Sequence, residues 1–372
     1  MLGLLTCLLI LGFASQCLCV RWNDVAGTYI SYNVMDNGAR GDGISDDSKA
    51  FLSAWQKVCA TEGRATLVIP PRKIFMVTNL FLDGPCKAIR RSSMIRISFV
   101  NALIVDGGGI IDGYGSTWWN LPQSPRPVML SFHACNNLLV RDLMFTNSPG
   151  AHITVDGSIN AVFSHVNIQA PANSPNTDGF DIANSRNILI EDSNIGTGDD
   201  CIAINGGTAK INATRLVCGP GHGISIGSLG RNRGHETVEE IYVQNCSFIG
   251  TTNGARIKTV EGGSGYARKI YFEQIQLVGV YNPIIIDQHY GPRQPKEDSA
   301  VKVSDARYLG FTGTSASDLA INIDCSSFGC SNILLDQINI APSQAGKKIG
   351  TTCKNARGAT VGNAIIPSVS CL

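Results

Sequence analysis

Between Asn176 and Lys258 the chain sets out four short motifs: Asn176-Thr177-Asp178-Gly179, Gly198-Asp199-Asp200-Cys201, Gly221-His222-Gly223 and Arg256-Ile257-Lys258. Breaking a glycosidic bond requires one carboxyl to protonate the leaving oxygen and another to activate water or attack the sugar. Asp178, Asp199 and Asp200 supply that chemistry. Like charges sharing one cleft raise the pKa of at least one member, which keeps it protonated for acid duty. Asp199 and Asp200 are adjacent, so both reach one ligand only if a bulge or turn interrupts the strand; Gly198 permits this. His222 lies on a backbone bare of side chains, where a ligand can approach closely. Arg256 and Lys258 project to the same side of a strand and suit a ligand carboxylate. Tyr290, in His289-Tyr290-Gly291, can add a stacking or hydroxyl contact.

These residues need a scaffold that brings distant segments together. From Asn137 onward one phrase recurs: Asn137-Leu-Leu-Val-Arg-Asp, Asn160-Ala-Val-Phe-Ser-His, Asn187-Ile-Leu-Ile-Glu-Asp, Glu240-Ile-Tyr-Val-Gln-Asn, Lys269-Ile-Tyr-Phe-Glu-Gln and Asn332-Ile-Leu-Leu-Asp-Gln. Each is an apolar strand closed by polar turn residues, returning at intervals of roughly one coil or two on the ~20–45-residue period of solenoids. The pattern predicts an all-β chain wound as a right-handed parallel β-helix. Alternate side chains stack inside it, and turn asparagines hydrogen-bond from coil to coil. Asp178, Asp199-Asp200, His222 and Arg256 then fall about one coil apart, on one face. A β-sandwich would instead show tight hairpin turns at short intervals. One helix is expected, roughly Asp46 to Ala60, with Asp46 and Asp47 at its start and Phe51, Trp55 and Val58 on its apolar side. It should shield the end of the β structure.

Composition agrees with this reading. The 40 glycines and short Val/Ile runs indicate frequent turns, and 44% hydrophobic residues allow a large core. A formal net charge of +1 argues against nucleic-acid binding. Residues 1–20 read as a signal peptide, too short and badly flanked to span a membrane. The remainder, 21–372, is then one secreted domain without a membrane anchor, monomeric by default. Of 13 cysteines, Cys7, Cys17 and Cys19 belong to or border the leader. The other ten enter an oxidising compartment. Cys325 with Cys330 and Cys353 with Cys371 pair by proximity; Cys201 and Cys218 flank the active stretch and are candidates for a third bridge. Cys59 with Cys86 is a fourth. Cys135 and Cys246 read as buried thiols. No C-x-x-C pair of zinc type occurs, so neither metal nor other cofactor is expected. Asn212-Ala-Thr and Asn245-Cys-Ser are acceptors for N-glycosylation, with Asn212 preferred.

In this order and spacing, Asn176-Thr-Asp, Gly198-Asp-Asp, Gly221-His-Gly and Arg256-Ile-Lys resemble the plant polygalacturonases of glycoside hydrolase family 28. The resemblance runs from about Tyr32 to Cys371 and includes Gly107-Gly-Gly-Ile-Ile-Asp-Gly, Trp118-Trp119 and Asn282-Pro-Ile-Ile-Ile-Asp-Gln. It implies metal-free, inverting hydrolysis of α-1,4 linkages in pectin (polygalacturonate), outside the cell in the plant wall. By the same resemblance Asp199 is the general acid, Asp178 and Asp200 activate water, and His222 maintains protonation. Asn176 joins the substrate-binding group, Arg256 and Lys258 hold the galacturonate carboxylate, and Tyr290 touches the neighbouring sugar. Two departures stand out: the passage from Cys86 to Gly107 is short by about one coil, and Gly291 follows Tyr290 where many relatives carry a cysteine. Rival readings are a rhamnogalacturonan or xylogalacturonan hydrolase, a calcium-dependent lyase, and a silent pectin-binding wall protein.

Overall fold

A computed structural model describes residues 30–61, 65–84, 93–121, 126–291, 300–362 and 365–372. The leader and Cys86 lie outside these residues.

The chain winds as a parallel β-helix. Among the described residues one wall is a sheet of eleven strands, running from Leu80–Asp83 through Ser93–Ser98, Val128–His133, Ile153–Asp156, Phe180–Ala183, Ile202–Ile204, Ile224–Leu229, Asn253–Thr259, Asn282–Asp287 and Leu319–Asp324 to Gly350–Lys354. The other walls belong to a sheet of sixteen strands. Each rung pairs in parallel with the next, Phe180 beside Ile202 and Ile202 beside Ile224. This register follows from the two-residue alternation of the strands, because a one-residue slip would turn every apolar side chain outward. Ile153, Val155, Phe180, Ile182, Ile202, Ile204, Ile224 and Ile226 all point inward and are fully buried. Each such side chain stabilises the fold by roughly 1.5–3 kcal/mol. Phe132, Phe163 and Phe180 step along the interior edge to face, with centroids 6.1 and 5.1 Å apart.

The recurring phrase marks a conformational position. Asn137, Asn160, Asn187, Glu240, Lys269 and Asn332 all take positive φ, between 54° and 60°. Asparagine tolerates that region because its amide can satisfy the backbone locally. The anticipated ladder is present: Asn187 Nδ2 donates to Asn160 Oδ1 at 2.7 Å, Asn160 to Asn137 at 3.0 Å, and Asn137 to Asn101 at 2.9 Å. Lys210 occupies the same position in the intervening coil, with φ 58°, but the strand after it, Ile211-Asn212-Ala213, breaks the apolar run of the phrase with Asn212.

The predicted helix spans Ser48–Ala60 and buries Ala50, Phe51, Ala54 and Trp55. Trp55 Nε1 donates to the Asp83 carbonyl at 3.0 Å, which fixes the helix over the first rung of the eleven-stranded sheet. Asp46 receives the Ser48 N–H at 3.0 Å, whereas Asp47 turns back to the Arg40 and Gly41 N–H groups at 2.7 and 3.1 Å. A one-turn helix, Ser116–Trp119, was not anticipated. Leu80–Asp83 and Ser93–Ser98 are neighbours in the sheet, yet no described strand of the other walls lies between them in sequence. The eleven-stranded sheet continues directly from one to the other.

Two bridges form as expected, Cys325–Cys330 and Cys353–Cys371. Cys201 and Cys218 depart from expectation. Both are fully buried thiols, with Cys201 Sγ directed at the Ile195 carbonyl at 3.5 Å. Their proximity follows from the coil repeat, but the direction of each Sγ depends on packing that spacing does not determine. Cys135 and Cys246 are buried thiols as read.

Candidate active site

The catalytic motifs occupy the turns that lead into successive rungs of the eleven-stranded sheet. Asp178 precedes Phe180–Ala183, Asp199 and Asp200 precede Ile202–Ile204, and His222 precedes Ile224–Leu229. Arg256 and Lys258 lie on Asn253–Thr259 itself. The adjacent aspartates reach one cleft because they sit in a turn, the arrangement for which Gly198 was singled out. A Cβ on Gly198 would lie 1.9 Å from the Ser174 carbonyl oxygen. Gly223 has a similar role for His222: its φ is +78°, and a Cβ there would meet the Asn253 carbonyl oxygen at 2.1 Å.

Backbone bonds lock these turns together. His222 N–H donates to the Asp199 carbonyl at 2.8 Å, Gly179 N–H to Asp200 at 2.9 Å, and His152 N–H to Asp178 at 2.8 Å. Thr177 Oγ1 accepts the Gly198 N–H at 3.0 Å. The motifs thus hold one another in place before any ligand arrives.

Asp200 is 1% exposed and fully engaged. Its Oδ1 accepts from Ser225 Oγ at 2.9 Å and from Arg256, and its Oδ2 accepts from Lys258 Nζ at 2.8 Å. Arg256 and Lys258 are therefore drawn into the wall instead of extending into solvent. Two cations against one carboxylate leave positive charge facing the cleft, and the Tyr290 ring lies against both, 6.0 Å from the Arg256 guanidinium carbon and 5.1 Å from Lys258 Nζ.

Asp199 binds His222 Nδ1 at 2.9 Å, accepts the Asp200 N–H at 2.8 Å, and is reached by Asn176 Nδ2 at 3.3 Å. Burial pushes its carboxyl up, but the hydrogen bond and charge of His222, the Asp200 N–H and the Lys258 charge hold it below the ordinary value. Asp178 goes the other way. Burial and the charges of Asp181, Asp199 and Asp200 push it well above the usual carboxylate range. Carboxyls in one cleft are thus separated in acidity by their surroundings, with Asp178 the more readily protonated and Asp199 the more readily ionised before substrate binds.

Three participants escaped the sequence reading. Asp181 lies on the strand after Asp178, held by Asn205 Nδ2 at 3.4 Å, and burial and the Asp200 charge push it up to about 6. His152 is buried, with Nδ1 at 3.1 Å from the Asp178 carbonyl and Nε2 accepting the Ser148 N–H at 3.3 Å. Burial lowers it to about 4. Arg126 donates to Asn176 Oδ1 and adds a cation at the rim. The ligand atoms of Asp199, Asp200 and His222 lie within 4.8 Å of one another, close enough for a cation to bridge. Asp200 already spends both oxygens on Arg256 and Lys258, which leaves a poor donor set.

Carboxyls of separated acidity, backed by cations on the wall of a parallel β-helix, define a glycoside hydrolase. The chain matches the family model described as glycosyl hydrolases family 28 over residues 70–365, and it belongs to that family. It is 42% identical to a probable polygalacturonase of Arabidopsis thaliana, over 92% of this chain and 82% of that protein. It is also 38% identical to a polygalacturonase of Persea americana, over 93% and 82% respectively. Among solved structures, the polygalacturonase of Erwinia carotovora subsp. carotovora superposes with a TM-score of 0.71 at 20% identity, covering 90% of this chain and 98% of that one, a likeness of fold.

Proposed function

We propose that the protein is a secreted polygalacturonase that hydrolyses α-1,4-galacturonosyl linkages of pectin in the plant cell wall, with inversion at the anomeric carbon. The observation that carries this reading is the convergence of Asp178, Asp199 and Asp200, on consecutive rungs of one wall, beside the Arg256–Lys258 pair two rungs further on. The residual positive charge beneath Tyr290 suits the carboxylate of a galacturonate unit. In this scheme Asp199 donates the proton to the leaving oxygen. The Asp199–His222 hydrogen bond lets the two share a proton, and covering by substrate expels water and favours the neutral pair, which places that proton on Asp199. Asp178 and Asp200 orient the attacking water, with Asp178 as the base once it is ionised.

The test uses the secreted recombinant protein on unesterified polygalacturonate, following reducing ends and viscosity, with NMR of the first-formed product. Hydrolysis with inversion releases the β-anomer. Asp199→Asn and Asp178→Asn each lower kcat by on the order of 10³-fold or more. An unsaturated, ultraviolet-absorbing product would replace the reading with a lyase, and binding without turnover would make this a pectin-binding protein.

The pH profile checks the roles. Since Asp178 must be ionised and its carboxyl is raised, activity climbs as pH rises through that elevated value, not near the ordinary 3.8. His222→Gln removes a hydrogen bond and a charge that hold the Asp199 carboxyl down, so it moves the limb set by Asp199 while leaving the Asp178 limb in place; a shift of both limbs together would sink the assignment.

A further inference from the structure

One column of side chains on the outside of the sixteen-stranded sheet is apolar for much of its length. In register it reads Ile104, Leu139, Val162, Leu189, Asn212, Tyr242, Tyr271, Arg307 and Leu334. Ile104 is 54% and Tyr242 38% exposed, and Tyr242 and Tyr271 stack with centroids 5.0 Å apart at an angle of 14°. Asn212 interrupts this strip. Its side chain is exposed, and among the described residues its amide has no hydrogen-bond partner, unlike the Asn137, Asn160 and Asn187 amides, which bond one another. Asn212 is also the first residue of Asn212-Ala213-Thr214, the acceptor pattern for N-linked sugar. The other acceptor, Asn245, lies in a turn at φ 54°, off this column.

We propose that Asn212 is glycosylated and that the first sugar extends the tyrosine stack by lying on the free face of Tyr242, so that the glycan covers the apolar strip. Neighbouring strands are about 4.8 Å apart, the distance at which a sugar ring on one rung meets the aromatic face of the next. In the covalent step the Asn212 amide nitrogen attacks the anomeric carbon of a lipid-diphosphate-linked oligosaccharide. The C–N bond forms, the bond from that carbon to the diphosphate oxygen breaks, and the amide loses one proton. The proposal rests on passage through the secretory lumen, which belongs to the function proposed above. Its tests use no pectin, so failure of either reading is visible without the other.

The full chain is expressed with its leader in plant suspension cells, and the peptide bearing Asn212 is analysed by mass spectrometry, with Asn212→Gln as the blank. Melting and apolar-dye binding are then measured on the intact glycoform, on protein trimmed enzymatically to one N-acetylglucosamine, and on protein with no sugar. The proposal expects Asn212 to be occupied and the single-sugar form to behave as the intact one. Complete removal lowers Tm by about 2 °C and raises dye binding. Tyr242→Phe preserves that difference and Tyr242→Thr abolishes it. An unmodified Asn212 in secreted protein overturns the proposal, as does an equal loss on deglycosylation in Tyr242→Thr. Where Tyr242→Thr is not secreted, the acetyl methyl proton of the first sugar decides: an upfield ring-current shift supports stacking, and its free-glycan position refutes it.

Discussion

Asp181 and His152 set opposite pH dependences on stability. The folded state raises Asp181 from 3.8 to about 6, so it holds the proton more tightly than the unfolded chain does. Its contribution is complete below pH 3.8 and is lost as pH rises through about 6. Asp181→Asn, which keeps the oxygen that Asn205 approaches, should therefore melt a few degrees higher at pH 7 and unchanged below pH 3.8. His152 moves the other way. Its folded value drops from 6.5 to about 4, so its contribution is present above pH 6.5 and lost as pH falls through about 4. Protonation would sacrifice the Ser148 N–H bond to Nε2. His152→Gln should flatten the acid side of a urea-midpoint profile, and an unchanged slope would remove His152 from this account. Neither residue was legible in the sequence, for a physical reason. Strand parity places residues three apart on opposite faces, which separates Asp178 from Asp181. The turn at Asp178 breaks parity and brings both carboxyls to one cleft. Asp199, Asp200, His222, Arg256 and Lys258 were readable because glycines or two-residue spacing advertise them.

The turns and strands that carry the site are its working elements. Gly198→Ala should cost roughly 2 kcal/mol or more in stability, since its Cβ would overlap the Ser174 carbonyl. Activity should fall further than stability, because the same turn aims Asp199. Circular dichroism melts and kcat on one preparation distinguish the two losses. Tyr290 sits in a segment anchored by Gln288, whose amide donates to Thr259 Oγ1 at 3.2 Å and the Val301 carbonyl at 2.8 Å. Tyr290→Ala should raise KM roughly three- to tenfold, whereas Tyr290→Phe keeps the ring over the cations and most of the affinity. At this scale the repeated phrase announced strands and left-handed turns wherever asparagine marked the rung. Lys210 shows the limit: its rung has the same backbone, but Asn212 interrupts the apolar run by which the phrase is recognised. The thiols of Cys201 and Cys218 show another, since spacing predicts proximity and says nothing of χ angles.

Across the whole molecule each coil touches chiefly the coils before and after it, so stability is close to a sum of neighbour terms. Three strands, Ser93–Ser98, Val128–His133 and Ile153–Asp156, stand between the first strand of the eleven-stranded sheet, Leu80–Asp83, and the strand that follows Asp178. The distance from Asp178 to His222 is set locally, by two steps of the stack with the single rung of Asp199 and Asp200 between them. The helix Ser48–Ala60, docked through Trp55 onto the Asp83 carbonyl, closes that end of the stack and shields its first rung from water.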